Sequence, residues 1–542
     1  MSRQFTIEEE IILRKHFTNV DGDVFALTNL PEVTKAALYA RYSRSHKSLR
    51  RLFLDEFNDA TKSVPLESNT GVDRSETLFG RVLAEYGDDS VAQLSGVHIA
   101  FENVSNIATK VIERPRLMSY LEQSTRYISF DRLDDNGNFR YLMPDELDAQ
   151  DRPHYKDVID SLFSSYQLLS TVVMDRLFDE LDNVDVTPVL RATTRAIALD
   201  ATRGLLPSAT LSNVGVYGSA QSMEQLVLHM YAHPLREVQV LGEKLHEQLK
   251  IVVPSLVPRL DRKERREPWV SYLKETRHSE INIPKVHLEN SNLVEPKSDD
   301  RLLLGQLGSR VRLVEFDRDG EAKIARAILF ESSDLSSLEV SSYYDSLSTL
   351  ELDELWAKYV GIRENRRHRP SRAFEKSVYK FEIETDYAAF RDLQRHRMLS
   401  CAWQTLGDGL GYFISPRLLD SEREIYVGAI DAIGQLYDQI SLKYGTLVGA
   451  YCLPMAYRIR FEFEINAREA MHLMELRTMP QGHESYREVA QLMYKAILSI
   501  ARHSRVANSI SHVDMTTDNV SRKDSLQREA QKRGDSDNLV TN

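Results

Sequence analysis

Apolar and polar positions alternate at two periods along this chain, and the two periods are mixed in both halves. Helical spacing runs through 32–57, where Ala36, Ala37, Leu38, Leu49, Leu52 and Phe53 are interspersed with arginine and lysine. It returns at 155–180 and at 188–203, the latter closed by Gly204 and Pro207. A further helical stretch at 223–249 is broken near His233-Pro234. Spaced apolar residues at 90–110 lead toward a pair of arginines, and Asp134-Asp-Asn-Gly137 marks a turn. In the second half, strand patterns at 311–316, 378–383 and 459–465 are separated by helical patterns at 425–447 and 467–476. No regular βαβ alternation and no Gly-rich dinucleotide loop is present. The expected class is α+β, with two tandem domains of mixed or antiparallel sheet packed with helices. Their bounds are 1–261 and 301–517, joined by a charged linker at 262–300 with little periodicity. A polar tail at 518–542 is expected to be disordered.

Length agrees with this division, since 542 residues exceed one ordinary core and fit two domains of roughly 200–250 residues. A net charge of −12 argues against a general nucleic-acid coat. Cys401 and Cys452 are the only cysteines, which excludes a disulfide scaffold and a Cys-based zinc site. No apolar run is long enough to span a bilayer, and the N-terminus has no signal-peptide core. The expectation is a cytoplasmic protein without nucleic-acid or membrane partners and without a bound metal.

The candidate chemistry lies in a motif that occurs twice. Arg114-Pro-Arg-Leu-Met-Ser119 is followed by Glu122-Gln-Ser-Thr-Arg-Tyr127, and Arg395-His-Arg-Met-Leu-Ser400 is followed by Trp403-Gln-Thr-Leu-Gly407. The second copy begins 281 positions after the first. Paired guanidiniums beside a hydroxyl suit an oxyanion, because arginine donates two parallel hydrogen bonds and does not lose its charge. Each element has a plainer reading as a solvated pair, a salt-bridged turn or a helix cap. Their joint order and spacing argues against coincidence.

That combination resembles the flavin-dependent thymidylate synthases, the thymidylate synthase-complementing family, here as a tandem duplication. The resemblance implies that the first half holds a pyrimidine nucleotide such as dUMP through Glu122, Gln123, Ser124, Arg126 and Arg203, the last within Arg203-Gly-Leu-Leu-Pro207. It implies that the second half holds FAD through Arg372, Glu375, Arg395, His396, Arg397, Asn466, Arg468 and His472. Arg477 would polarise the pyrimidine as the catalytic residue. NADPH and methylenetetrahydrofolate would be co-substrates in reductive methylation of dUMP to dTMP. Complementary losses accompany these retentions: Pro115 replaces the triplet histidine in the first copy, and Trp403, Thr405 and Gly407 replace Glu122, Ser124 and Arg126 in the second. The glutamine that the family places three residues before the triplet is Val111 in one copy and Asp392 in the other. Composite sites built from both halves follow, in a homodimer that forms a pseudo-tetramer. The alternatives are a non-catalytic nucleotide- or flavin-binding homologue and a flavoenzyme acting on another pyrimidine nucleotide. The basic run at 363–372 reads as a phosphate pocket or solvated turn, and His483-Glu484 as part of a surface helix.

Overall fold

The computed structural model describes residues 5–22, 25–42, 47–58, 92–181, 188–254, 257–288 and 301–516. The tail expected to be disordered, 518–542, lies outside the described residues. The chain divides into two compact units, one formed by 1–102, 111–122 and 213–293, the other by 103–110, 123–212 and 294–542. These units do not follow the sequence halves, because 123–212 belongs with the second half.

The first unit is built on a three-stranded sheet of β1 (Gly96–Ser105), β2 (Met118–Glu122) and β3 (Leu211–Ser219), in the order β1-β3-β2. Alternate β3 residues turn inward, burying Val214 and Val216. Helix Ala220–Tyr231 follows β3 and packs on helix Arg236–Val252, the chain turning between them at His233-Pro234. Within the segment expected to be the linker, Lys263–Leu288 forms a helix. Lys, Glu, Arg and Leu favour this helix by propensity, while the stretch lacks the apolar stripe that periodicity detects.

The second unit holds β4 (Leu302–Leu304), β5 (Arg310–Phe316), β6 (Val378–Asp386), β7 (Leu399–Trp403) and β8 (Arg458–Asn466) in one antiparallel sheet, ordered β4-β5-β6-β8-β7. Its inward face buries Tyr379, Phe381, Ile383, Phe461, Phe463 and Ile465. Each such side chain contributes about 1.5–3 kcal/mol on burial.

The duplication is visible in topology. In both copies a strand, a short helix, a strand, a long helix, a 3-10 turn, a strand and a helix follow in that order. The strand orders β1-β3-β2 and β6-β8-β7 match. So does register: Met118 faces Gly218 as Leu399 faces Ile465, and Glu122 faces Val214 as Trp403 faces Phe461. A one-residue slip would have moved every side chain to the opposite face.

Within the second unit the two Leu-Pro turns pair with each other. Ser208 N donates to Leu453 O at 2.8 Å, and Met455 N donates to Leu206 O at 2.9 Å, on either side of the Pro207–Pro454 bridge. The bonds are reciprocal, as a local two-fold relation requires. Beside them, helix Arg152–Asp179 packs on helix Asp420–Tyr444, with Arg176 Nε donating to Glu422 at 2.8 Å. Among the described residues no helix is long and apolar enough to cross a membrane.

Gly204 permits this pairing. A Cβ there would lie 2.1 Å from the hydroxyl of Tyr426, itself buried and bonded to Phe413 O. Gly204→Ala should therefore cost about 1–3 kcal/mol through overpacking. Chemical denaturation measures this, and Gly204→Ala with Tyr426→Phe should recover part of the loss. An unchanged single variant would contradict the packing described.

Candidate functional site

The sequence itself positions a cluster of arginines in the second unit. Arg126 follows the turn at Ser124, whose hydroxyl accepts from Arg126 N at 3.2 Å. Arg203 begins the 3-10 turn after helix Pro188–Thr202. Arg395 and His396 follow the short helix Tyr387–Leu393, whose N-cap Asp386 accepts from Ala389 N at 2.8 Å. Arg477 ends helix Ala467–Arg477, whose N-cap is Asn466. Arg126 and Arg203 of the first sequence half and Arg395, His396 and Arg477 of the second thus lie in one unit of a single chain.

Two carboxylates neutralise part of this charge. Arg126 makes a two-pronged pair with Asp200, Nε to Oδ1 and Nη2 to Oδ2 both at 2.9 Å. The same guanidinium donates to Gln481 O and to Tyr486 Oη, each at 2.9 Å. Asp392 lies between Arg203 and Arg477, with Oδ2 3.9 Å from Arg203 Nη1 and Oδ1 3.9 Å from Arg477 Nη1. Burial alone would raise its pKa, but Arg395, Arg477, Arg203 and Arg126 outweigh burial and hold it at about 2.

Arg203 is the least satisfied of these groups. It is 2% exposed, and its Nε and Nη2 have no hydrogen-bond partner. Burial lowers its pKa despite the nearby carboxylates. A buried guanidinium with unused donors is costly unless a ligand supplies acceptors. The carbonyl oxygen of the Gln123 side chain is likewise buried without a partner.

Arg477 is held at a defined orientation. Its Nε donates to His396 Nε2 at 3.0 Å, so the His396 proton sits on Nδ1, which faces Glu469 Oε1 at 2.9 Å. Burial lowers the His396 pKa to about 4, with the Glu469 bond opposing and Arg477 assisting, so the ring is neutral at pH 7. Burial would raise Glu469, but its bonds to His396 and His472 bring it to about 2. Nδ1 of His472 lies 3.2 Å from both Glu469 oxygens. These three side chains offer donor atoms within 4.8 Å of one another, a spacing compatible with a metal that the sequence reading did not foresee. The Arg477 bond places a proton on the His396 nitrogen that would have to bind the metal. The group therefore acts as a hydrogen-bond network.

The residues expected to hold flavin lie along the same helix. Asn466 accepts from Glu469 N at 2.9 Å as the helix cap. Arg468 donates from Nε to Pro370 O at 3.0 Å and lies 3.9 Å from Glu375, which pairs with Arg372 at 3.0 Å. The turn containing Arg372 and Glu375 packs on this helix. Arg397 is exposed, His396 is buried and His472 is partly open. Glu122 is buried at the end of β2 in the first unit.

Two sequence readings are corrected. His483 is 2% exposed, not on a surface helix, and caps helix Glu484–Ser499 by accepting from Ser485 N at 3.2 Å. In the run 363–372, Arg363 is no solvated residue, because it forms a buried two-pronged pair with Glu475 at 2.6 and 2.7 Å. Asp200, Tyr486 and Glu469 were not anticipated as site residues. The spacing Asp200-x-x-Arg203 on a helix end was a usable signal, whereas Tyr486 had none.

The depressed pKa of Asp392 gives an acid-side prediction. Its folded value of about 2 lies below the ordinary 3.8, so the stabilisation is present above pH 4 and lost as pH falls toward 2. The stability gap between the native protein and Asp392→Asn should shrink by about 2 kcal/mol between pH 5 and pH 2. Denaturation at each pH measures it, and a constant gap would contradict the electrostatic account.

The sequence model for thymidylate synthase complementing proteins matches residues 29–255 and 312–501. A UPF0159 protein of Chlamydia pneumoniae is 34% identical over 505 residues, covering 91% of this chain and 93% of that protein. A UPF0159 protein of Thermoplasma acidophilum is 30% identical over 519 residues, covering 89% and 95% respectively. A protein of Clostridium tetani named flavin-dependent thymidylate synthase is 23% identical over 180 residues, 33% of this chain and 68% of that protein. With two matched segments and two copies of one strand topology, the chain belongs to the thymidylate synthase complementing protein family as a tandem duplication.

Proposed function

We propose that this protein is a flavin-dependent thymidylate synthase-like enzyme that methylates dUMP reductively to dTMP. Methylenetetrahydrofolate supplies the carbon and NADPH the reducing equivalents. The observation that carries the reading is Arg203, a buried cation whose Nε and Nη2 lack acceptors. A nucleotide phosphate meets that need through charge-assisted hydrogen bonds. Arg126 contributes positive potential, its own donors being committed largely to Asp200, Gln481 and Tyr486. Gln123 and Ser124 complete the nucleotide set, and the unpartnered Gln123 oxygen accepts from a ligand N–H or O–H.

Arg477 orients the pyrimidine and stabilises charge that builds on a ring carbonyl when addition at C6 makes C5 nucleophilic toward the one-carbon donor. Its Nε is held by His396, leaving the Nη groups for the ligand. Proton balance at the site favours an uncharged imidazole beside the cation, consistent with the lowered His396 pKa.

The fit to FAD rests on the donor set. Arg372, Arg397 and Arg468 carry positive charge suited to a diphosphate, Glu375 pairs with Arg372 and lies 3.9 Å from Arg468, and Arg395, His396, Asn466 and His472 complete the proposed set. FAD would supply the hydride chemistry that no side chain here can provide. Cys452 is buried and its thiol pKa is raised, so it is not offered as a nucleophile. A homodimer forming a pseudo-tetramer is the proposed assembly.

A second reading is a non-catalytic nucleotide-binding homologue. The internal satisfaction of Arg126 favours it, because that arginine is closed by the protein's own groups. Visible spectroscopy of the purified protein separates the two. The enzyme reading predicts stoichiometric FAD that NADPH bleaches anaerobically, at a rate that dUMP alters, and dTMP on adding methylenetetrahydrofolate. A protein that cannot be loaded with FAD yet binds dUMP would overturn the enzyme reading. Arg203→Met should weaken dUMP binding at least tenfold, as measured calorimetrically.

A further inference from the structure

Asp392 Oδ1 faces Arg477 Nη1 at 3.9 Å, and its other oxygen faces Arg203 Nη1 at the same distance. At this separation the charges attract without either arginine hydrogen-bonding the carboxylate. An acceptor and a donor therefore stand side by side with capacity for a ligand. Arg477 is turned by its Nε–His396 bond so that only its Nη groups remain available, and the ring of Tyr486 lies 5.5 Å from its guanidinium carbon. Asp392 retains 18% side-chain exposure and Arg477 15%, so neither is sealed from solvent.

We propose that Asp392 and Arg477 together read the imide edge of a uracil-type base and exclude cytosine. The assignment rests on the reading of this cluster as a nucleotide site and adds a specificity-determining residue to it. Asp392, an acceptor only, takes the N3–H of the base; Arg477, a donor only, gives a hydrogen bond to the adjacent C4 carbonyl. Uracil and thymine present that donor–acceptor pair in neighbouring positions. Cytosine presents the reverse, an unprotonated N3 and an exocyclic amino group. It would set a lone pair against the carboxylate and N–H against the guanidinium, so both contacts become repulsive.

Charge supports the same assignment. Arg395, Arg477, Arg203 and Arg126 keep Asp392 ionised and hence unable to donate. Glu469 and neutral His396 fix Arg477 from behind. A site whose polar groups are left unpaired or opposed by the wrong ligand discriminates more strongly than one that merely loses an apolar contact.

The test is calorimetric binding of dUMP, dCMP and 3-methyl-dUMP to the full chain and to Asp392→Asn, with thermal unfolding as a control for folding. The native protein should bind dUMP at least thirtyfold more tightly than dCMP and at least tenfold more tightly than the 3-methyl analogue. Asp392→Asn, whose amide can both donate and accept, should narrow the dUMP/dCMP ratio at least tenfold. If dUMP binds and the ratio is unchanged in a folded Asp392→Asn, or if 3-methyl-dUMP binds as well as dUMP, the base-reading role is overturned while the nucleotide site stands. If neither dUMP nor dCMP binds the native protein, the nucleotide reading and this inference fall together.

Discussion

The carboxylate of Asp392 among four guanidiniums is the interaction on which the candidate site depends. Arg395, Arg477, Arg203 and Arg126 cannot shed their charge, and bringing them together without counter-charge would be strongly unfavourable. Asp392 and Asp200 offset part of the repulsion and leave positive potential over. The incomplete neutralisation is visible at Arg203, where two buried nitrogens lack partners. Arg363, by contrast, is closed by a two-pronged pair with Glu475.

Duplication explains how such a cluster forms within one chain. Two copies of the same strand topology contribute Leu-Pro turns that pair reciprocally around Pro207 and Pro454. That pairing brings Arg203 of the first copy to Asp392 and Arg477 of the second. Where the first copy has Arg203, the second has Ala450, buried against the same turn, and Gly204 lets Tyr426 approach. The two copies are thus alike in backbone and unlike in the chemistry they present.

Much of this was legible in the residues. Strands at 311–316, 378–383 and 459–465 announced themselves by two-residue alternation, because each has one face on the core. The helix at 467–476 and the arginines at 203 and 477 followed from motif spacing. Helix Lys263–Leu288 was hidden because helical propensity without an apolar stripe leaves no periodic trace. The link from Glu469 through His396 to Arg477 was hidden because its members are separated by 73 and 81 positions. The burial of His483 was equally unreadable, since a polar residue beside a glutamate gives no sign that it caps a packed helix.

The central claim is that arginines from the two sequence halves serve one nucleotide site in one chain. Equilibrium dialysis of dUMP against the native protein, Arg203→Met, Arg477→Met and the double variant tests it most directly. The account predicts that each single variant weakens the same class of sites and that the double variant weakens it less than the product of the two effects. It would be contradicted if each variant removed a different class of sites and left the other's affinity intact.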